Sequence, residues 1–428
     1  MATAQVHVVS KGDITQHATI SVAADALAPL AADSVRVRCK LITITRNNVS
    51  YARLGGWLHW WDTYPVSPPG ITTSLPAPYD DAERWGIVPA WGYGEVLASN
   101  KDGIAGGALI WGFWPTSSLP VDLKLSGPKP DGHYWEVSEH RAKLMQLYNH
   151  YELVQSPLSE DIMGWRVGMW LAIGPGFAMN RYCFPPITGT GDKLEASLPI
   201  VHPSGDGSKW TAADADLRST VIVNLTASSK TAIGLAWNLR HREAGVGPLG
   251  FVEACSAPNS LPSATPGDSP PPFDTKRVTY DGLSSTFDWI ASLKPTRIIA
   301  ADYGAPAGVA QRFHDELLAS PAAASIASYV YLLVGADPNG VKLQDPRSSV
   351  VQFNMSPLKY AGIEREGLET FQMEQNRAFE LWLQEKGMGS TTLDWRSGIA
   401  GENGVHGAWD SLFTDHFPRN TSLLYRVE

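Results

Sequence analysis

The chain has 428 residues, 43% hydrophobic, 18% charged and 10% aromatic. That length exceeds what one hydrophobic core usually organises, so two domains are expected, and the composition excludes extensive disorder. A formal net charge of −9 excludes a surface built broadly to hold nucleic acid or anionic lipid, and leaves open only a local basic pocket.

The N-terminus, Met1 to His7, has neither a basic nor an apolar leader-like region, and no stretch reaches the length of a membrane span. A cytosolic protein that binds neither nucleic acid nor membrane is expected. Cys39, Cys183 and Cys255 are far apart and odd in number, which points to no disulfide framework and no cysteine zinc site. No metal ligands are expected.

Along the chain, residues 35–44 alternate apolar and polar as a half-buried strand does, and 107–115 is a shorter apolar run. Gly and Pro recur between them, which suggests a small irregular barrel or sandwich. Several tryptophans crowd between Trp57 and Trp114. They fill a core or wall a planar hydrophobic ligand. Farther on, strand-like runs at 221–226, 250–256, 297–302 and 329–335 alternate with helical patterns, the mark of βαβ units and a parallel sheet. Two Pro, Gly and Ser-rich stretches, 185–214 and 256–272, interrupt this pattern as surface excursions. A long amphipathic helix is expected over 365–386, ended by Gly387, and a short strand near 423–427.

The most informative stretch is 221–240. Its β-branched run ends in Thr226, Ser228, Ser229 and Lys230, then passes into Ala232, Leu235, Ala236 and Leu239 on one helical face. Strand, tight turn and helix follow. Either the turn is an anion site, with helix N–H groups, the helix dipole and Lys230 facing a phosphate, or the Ser and Thr simply cap the helix. A literal G-x-G-x-x-G, Gly245 to Gly250, follows a helix and precedes a strand, so it reads as a loop. Ser228 to Thr231 lacks the glycines of a triphosphate loop, since Asn224 and Ser229 stand in their places. H-E-x-x-H, C-x-x-C and G-x-S-x-G do not occur, so zinc hydrolysis and the serine-hydrolase elbow have no support.

The order of Asn47-Asn48-Val-Ser-Tyr51, Trp91-Gly-Tyr-Gly-Glu-Val, Gly106-Gly-Ala-Leu-Ile-Trp-Gly-Phe-Trp-Pro, Tyr148-Asn-His-Tyr151 and Ser228-Ser-Lys-Thr-Ala232 resembles the medium-chain dehydrogenase/reductase superfamily. It is most similar to a poorly characterised branch catalogued as a domain of unknown function. The resemblance implies an α/β protein with a GroES-like β-barrel over 1–165, completed by about 389–428. A Rossmann-type, doubly wound parallel sheet follows over 166–388, with a cleft between the two for NADPH and substrate. It also implies independence of zinc, because Thr43 to Asn48 and Trp57 to Asp62 stand where zinc-using relatives carry Cys and His-Glu.

Without a Lewis acid, a hydroxyl or amide must polarise the substrate oxygen. Tyr51 and Tyr64 are the candidate donors, with Asn47 and Asn48 placed to touch nicotinamide or substrate. Thr226, Ser228, Ser229, Lys230 and Thr231 line the phosphate turn. The neutral Ser256 end of the second strand suits the 2′-phosphate of NADPH, and Tyr280, Asp302, Gly304 and Gly335 follow later strands. Glu253 replaces a glycine common in relatives and is expected to crowd or repel the adenosine phosphate.

The implied function is an NADPH-dependent, zinc-independent reductase of a carbonyl or enone in a hydrophobic small molecule of specialised metabolism, acting as a monomer or homodimer. The alternatives are a non-redox dehydratase, lyase or cyclase on the same scaffold, and a non-catalytic binding protein.

Overall fold

The computed structural model describes every residue except 1–2, 25–27, 67–74, 129, 263–270, 336–339, 415–416, 418–419 and 428. Part of the stretch expected as a surface excursion at 256–272 therefore lies outside the described residues. The chain divides into two units, Met1–Met169 with Thr391–Glu428, and Trp170–Ser390.

The first unit opens with antiparallel strands β1 (Thr3–Ser10) and β2 (His17–Ala23), followed by β3 (Ser34–Ile44), helix α1 (Arg46–Arg53) and β4 (Trp85–Gly86), which joins the other edge of β1. Next come β5 (Pro89–Ser99), β6 (Leu109–Pro115), β7 (Val121–Ser126), β8 (His133–Glu136) and β9 (His150–Leu153). The order β3-β5-β6-β9-β8-β7 closes on itself through β3–β7 pairing, and every step is antiparallel. This is a six-stranded GroES-like barrel. The Trp91-Gly-Tyr-Gly94 pattern has a packing cause. A register shift in β3 brings the Leu41 carbonyl to within 1.9 Å of where a Gly92 Cβ would stand, and a Gly94 Cβ would meet the Trp114 ring at 2.8 Å. Only glycine fits at either place.

Helices α2 (Glu160–Trp165) and α3 (Leu171–Ala178) flank a π-helical turn, Arg166–Trp170, and the boundary between the units falls inside it. The stretch 185–214 carries the two-residue strands β10 (Ile187–Thr188) and β11 (Glu195–Ala196), a 3-10 turn at Gly191–Lys193 and the one-turn helix α4 (Ala212–Ala215). Then β12 (Thr220–Asn224), α5 (Lys230–Arg240), β13 (Gly250–Ala254), β14 (Asp274–Val278), α6 (Phe287–Leu293), β15 (Arg297–Asp302), α7 (Val309–Ala319), β16 (Ser328–Val334) and β17 (Ser348–Phe353) build a six-stranded sheet. All its pairings are parallel, in the order β14-β13-β12-β15-β16-β17. This is the doubly wound Rossmann order, reversing between β12 and β15. Alternate residues serve two cores, Ile222, Phe251 and Ile299 on one face and Val221, Val252 and Ile298 on the other. The edge strand β17 is not legible as an apolar run because half of it faces solvent.

The helix expected over 365–386 is two helices, α8 (Met355–Glu366) and α9 (Leu368–Gln384). Gly367, at φ 88° and ψ 149°, breaks the helical path between them, while Phe371, Phe379 and Trp382 are buried as the spacing requires. The chain returns to the first unit with β18 (Thr392–Ser397), α10 (Val405–Ser411) and β19 (Thr421–Arg426), and β19 pairs with the end of β3. Among the described residues no helix is long and apolar enough to cross a membrane.

Candidate cofactor and catalytic sites

Strand β12 ends at the topological switch point of its sheet, where parallel α/β folds place ligands. The following turn is held from both sides, since Leu225 N–H donates to Ala301 O and Ala227 N–H to Ala254 O, each at 2.9 Å. Ser229 caps α5, its hydroxyl accepting from Ala232 N–H at 3.4 Å. The glycines in this region serve packing between helices. A Gly176 Cβ would stand 2.2 Å from Leu235 N and a Gly234 Cβ 2.6 Å from Ile173 O, so α3 and α5 touch backbone to backbone.

Several groups in this turn ask for a polar guest. Both side-chain atoms of fully buried Asn224 lack a hydrogen-bond partner, as does the buried Thr226 hydroxyl. Buried polar groups are nearly always satisfied, so a polar ligand is the natural completion. Burial pulls the Lys230 ammonium down to a pKa of about 8, and an anion beside it relieves that cost. Ser228 is exposed. Thr231 departs from expectation in part, because its hydroxyl donates to Ala172 O at 2.8 Å and so ties α5 to α3; its helix-start N–H still belongs to the turn.

The other strand ends divide. Ser256 is exposed just beyond β13, and Tyr280 is half-buried beyond β14, its carbonyl accepting from Arg312. Gly304 and Gly335 follow β15 and β16 with φ of 101° and 107°, and among the described residues nothing stands within 4 Å of either missing Cβ. They leave open backbone at the carboxyl edge of the sheet. Asp302 is a correction to the expected cofactor set. Its carboxylate accepts from Gly304 N–H at 2.8 Å, Ala305 N–H at 2.7 Å and Tyr331 O–H at 2.7 Å, and this fixes the turn after β15.

The expected crowding by Glu253 is also corrected. Its carboxylate lies among side chains, accepting from Arg240 at 2.7 Å and Arg277 at 2.8 Å, and the residue is 3% exposed. Two guanidiniums against one carboxylate leave a net positive patch, so repulsion of a phosphate does not arise from this residue.

In the barrel unit, α1 follows β3 because Thr45 and Asn48 form a reciprocal cap. Asn48 Oδ1 accepts from Thr45 N–H at 2.8 Å and its Nδ2 donates to Pro89 O at 3.0 Å, with 2% of the residue exposed. Both ends of the amide are spent, so Asn48 positions α1 and does not reach a substrate. One turn on, the Tyr51 hydroxyl accepts from Asn47 Nδ2 at 2.7 Å and Trp91 Nε1 at 3.1 Å. Its ring packs edge-on against Trp60, Phe113 and Tyr148. Burial pushes the Tyr51 hydroxyl well above its ordinary pKa, against smaller opposing hydrogen bonds from Trp91 and Tyr148. It therefore keeps its proton at neutral pH. Asn47 acts here by orienting Tyr51.

Tyr64 is a further correction. Its hydroxyl donates to Phe113 O at 2.5 Å and lies 3.1 Å from the Tyr151 hydroxyl, which receives Arg141 at 2.9 Å. The Arg141 guanidinium stacks 4.5 Å from the Tyr64 ring and pairs with buried Glu136 at 3.5 Å. The proton is committed to a main-chain carbonyl inside a structural network. Trp60, Trp61, Trp91, Trp111 and Trp114 are all below 10% exposed, so most of the crowded tryptophans fill the core, and Trp57 at 78% does not. A cavity of about 440 Å³ in this unit is lined by Glu136, Arg141 and Asn149, and by none of the candidate catalytic or cofactor residues named from sequence.

Sequence reasoning missed Asn224, Trp91 and Tyr148 as site residues. A polar residue closing an apolar strand was the available signal for Asn224. The other two stood inside the motifs that carried the family resemblance.

No curated protein sequence matches the chain. In structure it is similar to a mutant enoyl thioester reductase from Candida tropicalis, with TM-score 0.54, 12% identity and 100% of each chain covered. It is also similar to Etr1p in a complex with NADP and crotonyl-CoA, with TM-score 0.52, 12% identity and 100% of each chain covered. A third likeness is to the CurF ER cyclopropanase of the curacin A biosynthetic pathway, with TM-score 0.51, 13% identity, 100% of this chain and 99% of that one. The family described as Protein of unknown function (DUF2855) matches residues 42–418. The chain belongs to that family, and its closed barrel and parallel sheet share the fold of these enzymes.

Proposed function

We propose that this protein is an NADPH-dependent oxidoreductase that reduces a carbonyl or enone of a hydrophobic small molecule in the cytosol, without a catalytic metal. The observation that carries the reading is the polar lining of the turn after β12, where the Asn224 amide and the Thr226 hydroxyl have no partner among the described residues and burial lowers the pKa of Lys230. These residues fit a dinucleotide phosphate. Ser228, Ser229 and the first N–H groups of α5 would hold the pyrophosphate, with Lys230 supplying a full charge. The open backbone at Gly304 and Gly335 would admit the rest of the cofactor. The solved structure of similar fold that holds NADP supports this choice of ligand.

When bound, NADPH would supply hydride to the electrophilic carbon, the carbonyl carbon itself or the β-carbon of an enone, and negative charge would develop on the carbonyl oxygen. Tyr51 would donate its hydroxyl proton in a hydrogen bond to that oxygen, held in aim by Asn47 and Trp91. The aromatic packing of Trp60, Phe113 and Tyr148 around it supports an apolar substrate. The pairing of Glu253 with Arg240 and Arg277 supports cofactor binding over a non-redox use of the scaffold, of whose two grounds the other is the insertion after Ser256.

The test has two steps. NADPH added to purified protein is expected to quench its tryptophan fluorescence and raise its melting temperature. Product mass is then measured for a panel of aromatic enones and aldehydes with and without NADPH. A gain of two hydrogens that requires NADPH is expected. Product formed without cofactor at an unchanged oxidation level, or no binding of NADPH, overturns the proposal.

A further inference from the structure

Three histidines far apart in sequence meet at one end of the barrel unit. His7 lies on β1, His17 on the neighbouring β2, and His406 on the return helix α10. One ring nitrogen from each lies within 4.8 Å of the other two. The ring centroids of His17 and His406 are 4.4 Å apart, and those of His7 and His17 are 5.1 Å apart. Asp410, one helical turn beyond His406, brings its carboxylate to 2.9 Å from His17 Nε2 and 3.9 Å from His406 Nε2.

Hydrogen bonding alone does not satisfy this group. If His17 Nε2–H donates to Asp410, its Nδ1 accepts from His7 Nε2–H at 3.0 Å. His7 is fully buried, and its Nδ1 has no partner. Into the cluster His7 turns its other nitrogen, Nε2, which meets His17 Nδ1 nitrogen to nitrogen, and a metal ion can take the place of the one proton the two share. The Trp409 ring, 5.6 Å from that of His7, gives the cluster an apolar wall.

We infer that His7, His17 and His406 form a structural site for a divalent transition-metal ion of the zinc class, with Asp410 holding the Nε2–H of His17 from outside the coordination shell. Three imidazoles, with a fourth position open to water, suit zinc and would bind calcium or magnesium poorly. Zinc–nitrogen bonds of about 2.0–2.1 Å put tetrahedral ligand atoms roughly 3.3 Å apart, so the present spread closes by small side-chain movements. The metal cross-links α10 to β1 and β2, joining the last part of the chain to the first. This departs from the expectation of a metal-free chain, which rested on cysteine count and local His-Glu spacing. It leaves the catalytic residues untouched and is independent of the proposed reductase activity.

The experiment uses full-length, untagged protein treated with EDTA, loaded with zinc sulfate, passed through gel filtration and assayed by elemental analysis. Wild type is expected to retain roughly one zinc per chain and to melt several degrees higher than its metal-free form. His406→Gln and His17→Gln, checked for an unchanged far-ultraviolet circular dichroism spectrum, are expected to retain less than about a tenth of that and to show no zinc-dependent melting shift. Because His406 is partly exposed on a surface helix, at least that variant is expected to fold. Wild type that retains no zinc overturns the inference, and so do folded variants that retain as much as wild type.

Discussion

Tyr51 and Tyr64 carry the same functional group in the same barrel, and their partners separate them. The Tyr51 hydroxyl accepts from Asn47 and Trp91 and meets Tyr148, whereas Tyr64 gives its proton to Phe113 O. Tyr51→Phe is therefore expected to lower turnover by a factor on the order of 10² to 10³ with NADPH affinity unchanged, as for loss of a donor to developing charge. Tyr64→Phe is expected to leave turnover within a few-fold and to cost roughly 1–2 kcal/mol of stability instead. Steady-state kinetics with denaturation curves on both variants decide it, and a larger kinetic loss at Tyr64 reverses the assignment. Asn48→Ala removes a helix cap and leaves Pro89 O without its donor, so a stability loss of roughly 2–4 kcal/mol is expected in urea titration. An unchanged midpoint would return Asn48 to the list of substrate contacts. At this scale the sequence names the right neighbourhood and not the right atoms. Asn47, Asn48 and Tyr51 share one turn of helix, and only tertiary partners such as Pro89 and Trp91 show which of them is spent.

Elements built from strong periodicity were legible before their partners were known. Strand β12 and helix α5 fall where the β-branched run and the Ala232-Leu235-Ala236-Leu239 face place them, because burial on both sheet faces and on one helix face imposes those patterns. The break at Gly367 was not legible, since one glycine inside an apolar repeat is tolerated in many helices and only its φ of 88° shows that the path ends there. Helix α5 also carries a pH signature. The Lys230 pKa of about 8 lies below the ordinary lysine value because burial disfavours the ammonium. Its contribution to stability is therefore greatest above the ordinary lysine range and is lost as pH falls through about 8. Anion binding has the opposite sign, because phosphate favours the charged form. NADPH affinity is expected to be highest below pH 8 and to fall as pH rises past it, by up to about tenfold per unit. Lys230→Met is expected to remove that slope and to weaken binding at pH 7 by roughly 1.5–3 kcal/mol. Calorimetric titrations of both proteins from pH 7 to 9.5 test it, and parallel profiles would release Lys230 from the phosphate.

At the scale of the whole molecule, closure matters more than pattern. Alternation along residues 35–44 announces a strand, yet the β3–β7 pairing that makes a barrel joins segments over eighty residues apart, and the histidine cluster joins segments almost four hundred apart. Neither is encoded in local spacing. The parallel sheet differs, because the connection rule for βαβ units restricts the order of its strands, and that order sets cofactor choice. With β13 beside β12, the residues just beyond β13 lie next to the turn after β12, and here they are buried Cys255 and the exposed, neutral Ser256. An acid at this place would accept from the adenosine ribose hydroxyls and repel a 2′-phosphate, so its absence favours NADPH. The nearby Glu253 adds no free negative charge, since Arg240 and Arg277 hold it. Wild type is expected to bind NADPH more tightly than NADH when both are titrated at the same salt. Ser256→Asp, at a surface position where folding is not at stake, is expected to weaken NADPH at least tenfold and to leave NADH unchanged or improved, since roughly 1.4 kcal/mol of like-charge repulsion suffices for that shift. A wild-type preference for NADH, or a Ser256→Asp variant whose ratio of affinities does not move, would take the 2′-phosphate away from the end of β13 and leave the turn after β12 as the only part of the cofactor site still supported.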